Sequence, residues 1–94
     1  MGGKLLFDSR RSEIEIISDI LKLSKNGAKK TEILYKGNLS YTLLKNYLSF
    51  LLDKNVLEKK IMKNKGGNQF IMYKTTEKGN NLLSDINRTL GHLK

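Results

Sequence analysis

The sequence predicts a small, mainly α-helical domain of the α+β class with one β-hairpin. Apolar residues recur at helical spacing before residue 55 and again after residue 76. Between them, residues 56–62 and 69–75 are short runs rich in β-branched, aromatic and long apolar side chains, which is typical of strands. The chain has 94 residues and no proline, and it is long enough for one modest core. We therefore predict a single domain over residues 1–94, of which residues 76–94 form a C-terminal helix.

The first helix is predicted to begin between Asp8 and Ser12 and to end before Gly27. Ser12 and Glu15 have the spacing of a capping box, in which each side chain hydrogen-bonds the other residue's backbone N–H. Gly27 suits the left-handed conformation that commonly follows a helix end. The short segment after it, residues 28–30, has room for one or two β-bridges.

The middle of the chain has the pattern of two capped helices joined by a tight turn. Thr31 and Ser40 are residue types that cap helix N-termini. Gly37 and Asn38 between them tolerate the positive φ that a sharp turn requires. The two are the second and third helices of the chain, and they are predicted over residues 31–36 and 41–54. This is the pattern of a DNA-binding helix-turn-helix, whose second helix enters the major groove, although a plain helical hairpin would look similar.

The second of these helices has an apolar stripe and a polar face. Six residues form the predicted stripe: Leu43, Leu44, Tyr47, Leu48, Leu51 and Leu52. Five residues outside it or at the cap are predicted to contact bases and nearby phosphates: Ser40, Tyr41, Thr42, Lys45 and Asn46. Lys45 is suited to guanine O6 and N7, and Asn46 to adenine N6 and N7. Tyr35, Tyr41 and Tyr47 leave open the alternative of stacking on unpaired bases of RNA or single-stranded DNA.

The two β-rich runs flank a Gly-Gly turn with cations on both sides. A hairpin with a basic tip directly after a recognition helix has the layout of a wing, which lies along phosphates or in the adjacent minor groove. The alternative is a hairpin tip that is merely solvated. The DNA-contacting residues assigned here are Lys63, Asn64, Lys65, Gly66, Gly67 and Asn68, together with Lys29 and Lys30 before the helix-turn-helix.

The net charge of +9 is unevenly distributed along the chain. Residues 1–24 are neutral overall and residues 66–94 carry +2, whereas residues 25–65 carry ten basic and three acidic side chains, or +7. An excess on the helix-turn-helix and hairpin is expected of a protein that follows a phosphate backbone. Codon bias is an alternative source of the fifteen lysines among the eighteen cations, but it does not account for their clustering.

The last helix is predicted to open at Thr76, a good N-cap. Gly79 lowers helix stability by roughly 1 kcal/mol relative to Ala, so we expect it to mark a close approach to another backbone. Apolar residues then recur at coiled-coil spacing. They predict a homodimer seam of Leu83, Ile86, Leu90 and Leu93. The alternative is that this stripe packs onto the first helix of the same chain.

Catalysis and metal binding have few candidate residues. The chain has no cysteine and one histidine, His92, so a transition-metal site of the usual ligands cannot be built. It has no phosphate-binding glycine motif and no apolar run near the roughly 18 residues of a membrane span. We predict no enzyme activity, cofactor, metal, membrane contact or small-molecule ligand, and we expect a cytoplasmic, nucleoid-associated protein.

Three ordered motifs resemble a known family. They are T-E-I-L-Y-K at residues 31–36, L-S-Y-x-x-L-x-x-Y-L-x-x-L-L at residues 39–52 and Y-x-x-T-x-x-G at residues 73–79. Over about residues 12–90 the chain resembles the small archaeal winged helix-turn-helix DNA-binding proteins. The resemblance implies a winged-helix fold, double-stranded DNA binding and, in many members, dimerisation through the C-terminal helix. Some members are put forward as transcriptional regulators and others as abundant chromatin-like proteins.

The resemblance and the residues together predict a double-stranded DNA-binding homodimer that regulates transcription. The last helix is too short for the long antiparallel coiled coil of the chromatin-like members. Two alternatives remain at this stage. One is a nucleoid protein that binds DNA without sequence preference, and the other is a winged helix that binds proteins instead.

Overall fold

Four helices and one two-stranded antiparallel sheet make up the protein. The computed structural model describes the backbone of residues 12–93 and the side chains of residues 12–89. The elements in chain order are α1 (Glu13–Leu23), α2 (Lys30–Lys36), α3 (Tyr41–Asp53), β1 (Leu57–Lys63), β2 (Gln69–Thr75) and α4 (Glu77–Leu93). This is the predicted architecture of a three-helix core, a hairpin and a C-terminal helix.

The first helix is capped as the sequence predicts. The Ser12 hydroxyl accepts a hydrogen bond from the Glu15 backbone N–H at 3.2 Å, and the Glu15 carboxylate accepts one from the Ser12 backbone N–H at 3.1 Å. The earlier start at Asp8 lies outside the described residues. Gly27 follows the helix with φ +100°, and Ala28 then exchanges two backbone hydrogen bonds of 2.8 Å with Tyr73. The predicted bridge is therefore confirmed.

The second helix begins earlier than predicted. We expected Thr31 to be its N-cap, but the cap is Lys29 and the helix begins at Lys30. Because Ala28 is held against Tyr73, the chain leaves the sheet in an extended conformation at Lys29 and turns into the helix at once. The Glu32 carboxylate accepts a hydrogen bond from the Lys29 backbone N–H at 3.4 Å. This bond between the N-cap and the third helical residue fits a helix that begins at Lys30.

The turn between the second and third helices uses its two residues differently. Asn38 has φ +52°, as predicted, whereas Gly37 has φ −82° and needs no left-handed freedom. Its requirement for glycine is steric, because a Cβ at Gly37 would lie 2.6 Å from the carbonyl oxygen of Ile33. The prediction of a positive φ at Gly37 was wrong, and that at Asn38 is confirmed.

Helix α3 buries one face and is capped by Ser40, whose hydroxyl accepts a hydrogen bond from the Leu43 backbone N–H at 3.2 Å. It ends at Asp53, one residue before the prediction. Leu44, Leu48 and Leu51 are buried in the core. Leu43, which we expected in the buried stripe, is 37% exposed. It lies at the edge of that stripe and lines an open groove between α1 and α3.

The hairpin pairs β1 with β2 from Leu57 opposite Thr75 to Lys63 opposite Gln69. Strand β1 begins and ends one residue later than predicted, and β2 matches its prediction. The buried root of the hairpin is tied to α1, because the Thr75 hydroxyl donates a hydrogen bond of 2.7 Å to the carbonyl oxygen of Leu21. The root therefore belongs to the core, and the tip extends beyond it.

The core is formed by residues from every element of the fold. Its buried apolar members are Ile16, Ile20, Leu21, Ala28, Ile33, Leu39, Leu44, Leu48, Leu51, Val56, Leu57, Tyr73 and Leu83. Helix α4 joins this core by packing against α1. The Thr76 hydroxyl accepts a hydrogen bond from the Gly79 backbone N–H at 3.0 Å, as expected for the predicted N-cap.

The fold divides the predicted dimer seam. Leu83 is 5% exposed and belongs to the core of its own domain, so it is not available to a second chain. For Leu83 the alternative of packing within the same chain is therefore correct, and α4 does lie against α1. Ile86 is half-buried. The side chains of Leu90 and Leu93 lie outside the described residues.

Gly79 should be required for the packing of α4. A Cβ at this position would lie 2.0 Å from the carbonyl oxygen of Val56 and 2.7 Å from the Thr75 side chain. The substitution Gly79→Ala adds helix propensity worth roughly 1 kcal/mol, but the clash with backbone outweighs it. We expect the free energy of unfolding to fall by about 2 kcal/mol, measured by denaturant unfolding. Asn81→Ala, at an exposed position of the same helix, is the control and should change stability by less than about 0.5 kcal/mol. Equal or greater stability of Gly79→Ala would contradict the close contact.

Candidate nucleic-acid interface

The polar face of α3 is open to solvent. All five residues predicted for this part of the interface are exposed: Ser40, Tyr41, Thr42, Lys45 and Asn46. Their exposure follows from the burial of Leu44, Leu48 and Leu51, which turns the opposite face outward. The Ser40 hydroxyl already accepts a hydrogen bond from its own helix, so its O–H donor and one lone pair remain for a ligand.

The two candidate base-reading residues face different neighbours. Lys45 lines a small cleft of about 160 Å³ together with Ser49, Lys30 and Tyr73, and so lies on the side of α3 next to the sheet. Asn46 instead lies at the rim of the open groove beside α1. That groove has a volume of about 560 Å³ and is lined by Glu13, Ile14, Ile17, Leu43, Asn46, Tyr47 and Phe50.

Lys29, the N-cap of α2, and Lys30, its first residue, lie beside aromatic rings of the hairpin and of α3. The ammonium group of Lys30 lies 5.4 Å from the centroid of the Tyr41 ring at the start of α3. The ammonium group of Lys29 lies 4.5 Å from the centroid of the Phe70 ring on β2. Both distances are within the range of cation–π attraction. These two lysines therefore place positive charge next to both α3 and the hairpin.

The tip of the hairpin is a structured turn with an exposed basic surface. The Asn64 side-chain oxygen accepts a hydrogen bond from the Asn68 backbone N–H at 3.0 Å, and the Asn68 carbonyl accepts one from the Asn64 backbone N–H at 2.9 Å. Gly67 has φ +84°, which the turn requires. All six predicted tip residues are exposed: Lys63, Asn64, Lys65, Gly66, Gly67 and Asn68. Asn64 thus has a structural role beyond any ligand contact.

Strand β1 adds cations that the sequence analysis did not select. Lys59 and Lys60 are both exposed and lie between the core and the tip. The sequence did contain a signal for them, because both belong to the charge excess of residues 25–65. As consecutive residues of a strand, they also lie on opposite faces of the hairpin. We use the term basic surface for Lys29, Lys30, Lys45, Lys59, Lys63 and Lys65.

One carboxylate lies beside this surface. Its salt bridge and hydrogen bond with Lys36, at 3.2 Å, lower the pKa of Glu32, and the Lys29 backbone N–H lowers it further. Glu32 is therefore ionised at neutral pH. It holds the start of α2 and offsets part of the local positive charge.

The hydroxyl of Tyr47 has a partner in α1. It donates a hydrogen bond of 3.4 Å to the Glu13 carboxylate. Burial raises the pKa of Tyr47, and the negative charge of Glu13 adds to the shift. The ring is half-buried: it packs against the core and also lines the open groove beside α1. Tyr35 and Tyr41 remain exposed.

Among the side chains of residues 12–89, no group of three His, Cys, Asp or Glu could hold a metal ion. Within residues 12–93, no helix is both long and apolar enough to cross a membrane. The side chain of His92 lies outside the described residues.

A helix-turn-helix followed by a basic hairpin defines a class of proteins, the winged helix-turn-helix proteins. The model of a family described as winged helix-turn-helix matches residues 10–93. The chain belongs to this family, and the predicted fold class is confirmed.

Individual relatives agree with this assignment. An uncharacterised protein of the archaeon Methanocaldococcus jannaschii is 43% identical over 51 residues, which are 53% of this chain and 24% of that protein. The chain therefore spans about a quarter of the length of this curated relative.

Two solved structures share the fold. Sso10a-2, described as a DNA-binding protein from Sulfolobus solfataricus, has a TM-score of 0.71 and 26% identity, over 86% of this chain and 80% of its own. A PadR-like transcription factor from Bacteroides fragilis has a TM-score of 0.67 and 22% identity, over 85% of this chain and 82% of its own. The second likeness concerns the fold alone.

The cap at Ser40 should contribute to stability independently of any ligand. Ser40→Ala removes the acceptor for the Leu43 backbone N–H, and we expect it to lower the free energy of unfolding by about 1 kcal/mol. Ser49→Ala, exposed within the same helix, is the matched control and should be nearly neutral. Thermal or denaturant unfolding measures both. If the Ser40 variant were as stable as the wild type, the capping role would be excluded.

Proposed function

We propose that this protein binds double-stranded DNA and regulates transcription. One observation carries the proposal. Exposed lysines lie on α3 and at the hairpin tip, and between these elements Lys30 lies next to Tyr41 and Lys29 next to Phe70. Cations on adjacent elements match the regular charge of a phosphate backbone. The likeness to Sso10a-2, which is described as a DNA-binding protein, supports the same ligand.

In this proposal α3 is the recognition helix. Its thirteen residues span about 20 Å at 1.5 Å per residue, and the B-DNA major groove is wide enough to admit such a helix. Lys45 donates to guanine O6 and N7, and Asn46 pairs with adenine N6 and N7. Ser40, Tyr41 and Thr42, at the start of the helix, contact the groove edge and nearby phosphates.

The hairpin contributes affinity that is largely independent of sequence. Lys63 and Lys65 contact phosphates on either side of a turn held by Asn64 and Asn68. Gly66 and Gly67 let the backbone approach the DNA closely, and a Cβ at Gly67 would meet no atom of the protein within 4 Å. Lys29 and Lys30 contact the phosphates between the helix and the hairpin. The protein would accordingly be associated with the nucleoid.

The helix and the hairpin should have separable effects on binding. With about six phosphate contacts, the logarithm of the association constant should fall with the logarithm of salt concentration with a slope of about −5. Lys45→Ala or Asn46→Ala should relax base preference, at about 1–3 kcal/mol for a bidentate contact. The double change of Lys63 and Lys65 to Ala should weaken binding to all sequences and reduce the salt slope by about 2. Fluorescence anisotropy with a labelled duplex measures these quantities.

Lys78→Ala is the control, because this exposed lysine lies on α4 and outside the basic surface. It should leave the slope close to its wild-type value. A wild-type affinity that does not change with salt would contradict the proposal. So would a change of base preference in the hairpin variant together with unchanged preference in the Lys45 and Asn46 variants.

Selection of bound duplexes from a random pool separates regulation from general DNA coverage. An enriched motif is expected for a regulator. If no sequence is enriched although duplex DNA is bound, the protein is a nucleoid-type binder instead. If no duplex is retained, the fold serves protein interactions.

We also propose that the protein is a homodimer joined through the distal half of α4. The half-buried Ile86 continues in sequence register to Leu90 and Leu93, whereas Leu83 anchors the helix to its own core. A two-fold axis would place two recognition helices about 34 Å apart, or a multiple of that distance, and favour a pseudo-palindromic site.

Sedimentation tests this assembly. The wild type should sediment as a dimer at micromolar concentration, and Ile86→Ser should yield a folded monomer with weaker DNA binding. Leu83→Ser is the informative comparison, because loss of a buried core side chain should lower the free energy of unfolding by about 3 kcal/mol. A monomeric wild type would refute the seam and assign the whole stripe to the core of one domain.

A further inference from the structure

The two faces of the hairpin have different surroundings. Side chains alternate along a strand, and directly paired residues lie on the same side of a sheet. We call one side the inner face; its members are Leu57, Lys59, Ile61 and Lys63 on β1 and Thr75, Tyr73, Ile71 and Gln69 on β2. The outer face carries the residues between them.

The inner face is turned toward the recognition helix. At the root of the hairpin, Leu57, Tyr73 and Thr75 are all buried. Tyr73 lines the small cleft with Lys45 and Ser49 of α3. The continuation of this face toward the tip therefore borders the same exposed side of the molecule as the polar face of α3.

Two isoleucines lie on this continuation, exposed and opposite each other. Ile61 is 70% exposed and its cross-strand partner Ile71 is 45% exposed. On the outer face, by contrast, Phe70 and Met72 are half-buried and have neighbours in their own chain, because Lys29 lies over the Phe70 ring and Met72 lies against Gly27. Ile61 and Ile71 are each more exposed than Phe70 or Met72.

Cations lie on both sides of this isoleucine pair. Lys59 and Lys63 are the same-face neighbours of Ile61, about 7 Å away on each side at 3.4 Å per residue. Two copies of this face brought together would juxtapose four lysines, which opposes self-association. A polyanion with an apolar surface between its charges fits the pattern. The DNA minor groove has these properties, since deoxyribose walls lie between its two phosphate backbones.

We propose that the Ile61–Ile71 pair is a minor-groove contact of the hairpin. This inference rests on the proposed function, and it names the residues through which the hairpin contacts the minor groove. With α3 in the major groove, the inner face lies against the neighbouring minor groove, with Lys59 and Lys63 at phosphates and the isoleucines against the sugars. Minor-groove binding proteins frequently place apolar side chains, isoleucine among them, in the groove beside cationic contacts.

The test compares three threonine substitutions. Ile61→Thr and Ile71→Thr keep the β-branched side chain that strands favour while removing apolar surface. Met62→Thr is the matched control. The exposed fraction of Met62, 42%, is similar to the 45% of Ile71, but Met62 lies on the outer face. Each isoleucine variant should raise the Kd for duplex DNA about tenfold at every salt concentration, without changing the salt slope, because no phosphate contact is lost. Met62→Thr should bind like the wild type.

Two further measurements identify the contact. Lys59→Ala should reduce the salt slope by about 1, unlike the isoleucine variants. Hydroxyl-radical footprinting should show protected minor-groove sugars beside the α3 site in the wild type, and Ile61→Thr should lose that protection. Circular dichroism melting of all variants checks that each remains folded.

Several outcomes would overturn the inference. They are wild-type affinity in both isoleucine variants, an equal loss in Met62→Thr, or an unchanged footprint in Ile61→Thr. An altered sedimentation coefficient with unchanged DNA affinity would instead assign the pair to a protein contact. If the wild type fails to bind any duplex, the proposed function itself is wrong. If the wild type binds duplex DNA but substitution of Ile61 and Ile71 has no effect, only the present inference is wrong.

Discussion

The placement of the candidate interface depends on the backbone bridge between Ala28 and Tyr73. Its two hydrogen bonds, each 2.8 Å long, hold the segment between α1 and α2 against β2. Because Ala28 is fixed and fully buried, Lys29 and Lys30 leave it in defined directions, one toward Phe70 and the other toward Tyr41. A bridge without any charged group thus determines where the positive charges of Lys29 and Lys30 lie.

The hairpin combines a rigid root with an exposed, charged extension. Leu57 and Tyr73 are buried in the core, and Thr75 is bonded to the carbonyl of Leu21 at the end of α1. Beyond the root, lysines line an otherwise unpaired edge strand, and such charges also discourage edge-to-edge aggregation. The same cations that prevent unwanted strand pairing are therefore available to phosphates. The buried residues of the hairpin lie at its root, and the exposed lysines lie toward its tip.

Affinity and sequence preference have different physical origins in this arrangement. The lysines act mainly through charge, which tolerates small displacements and is screened by salt. The base reading proposed for Lys45 and Asn46 would depend on hydrogen-bond geometry and hence on the rigidity of α3. That rigidity comes from three buried leucines and from the cap at Ser40. The core of the domain thus supports the part of the interface that requires precise orientation.

The sequence by itself determined the order of the elements, most of their ends and the clustering of charge. These properties are local: capping at Ser12, Ser40 and Thr76 depends on residues three positions apart, and helical and strand periods are read within one segment. The need for glycine at position 79 was also predictable, although the carbonyl of Val56 that causes it was not. Tertiary structure decided what depends on contacts between distant segments. The bridge to Tyr73 moved the start of α2 from the predicted Thr31 cap to Lys29, packing on α1 placed Leu83 in the core of its own domain, and the pairing of β1 with β2 placed Ile61 opposite Ile71, both exposed. Spacing along the chain cannot specify such contacts, because they join residues that only the folded core brings together.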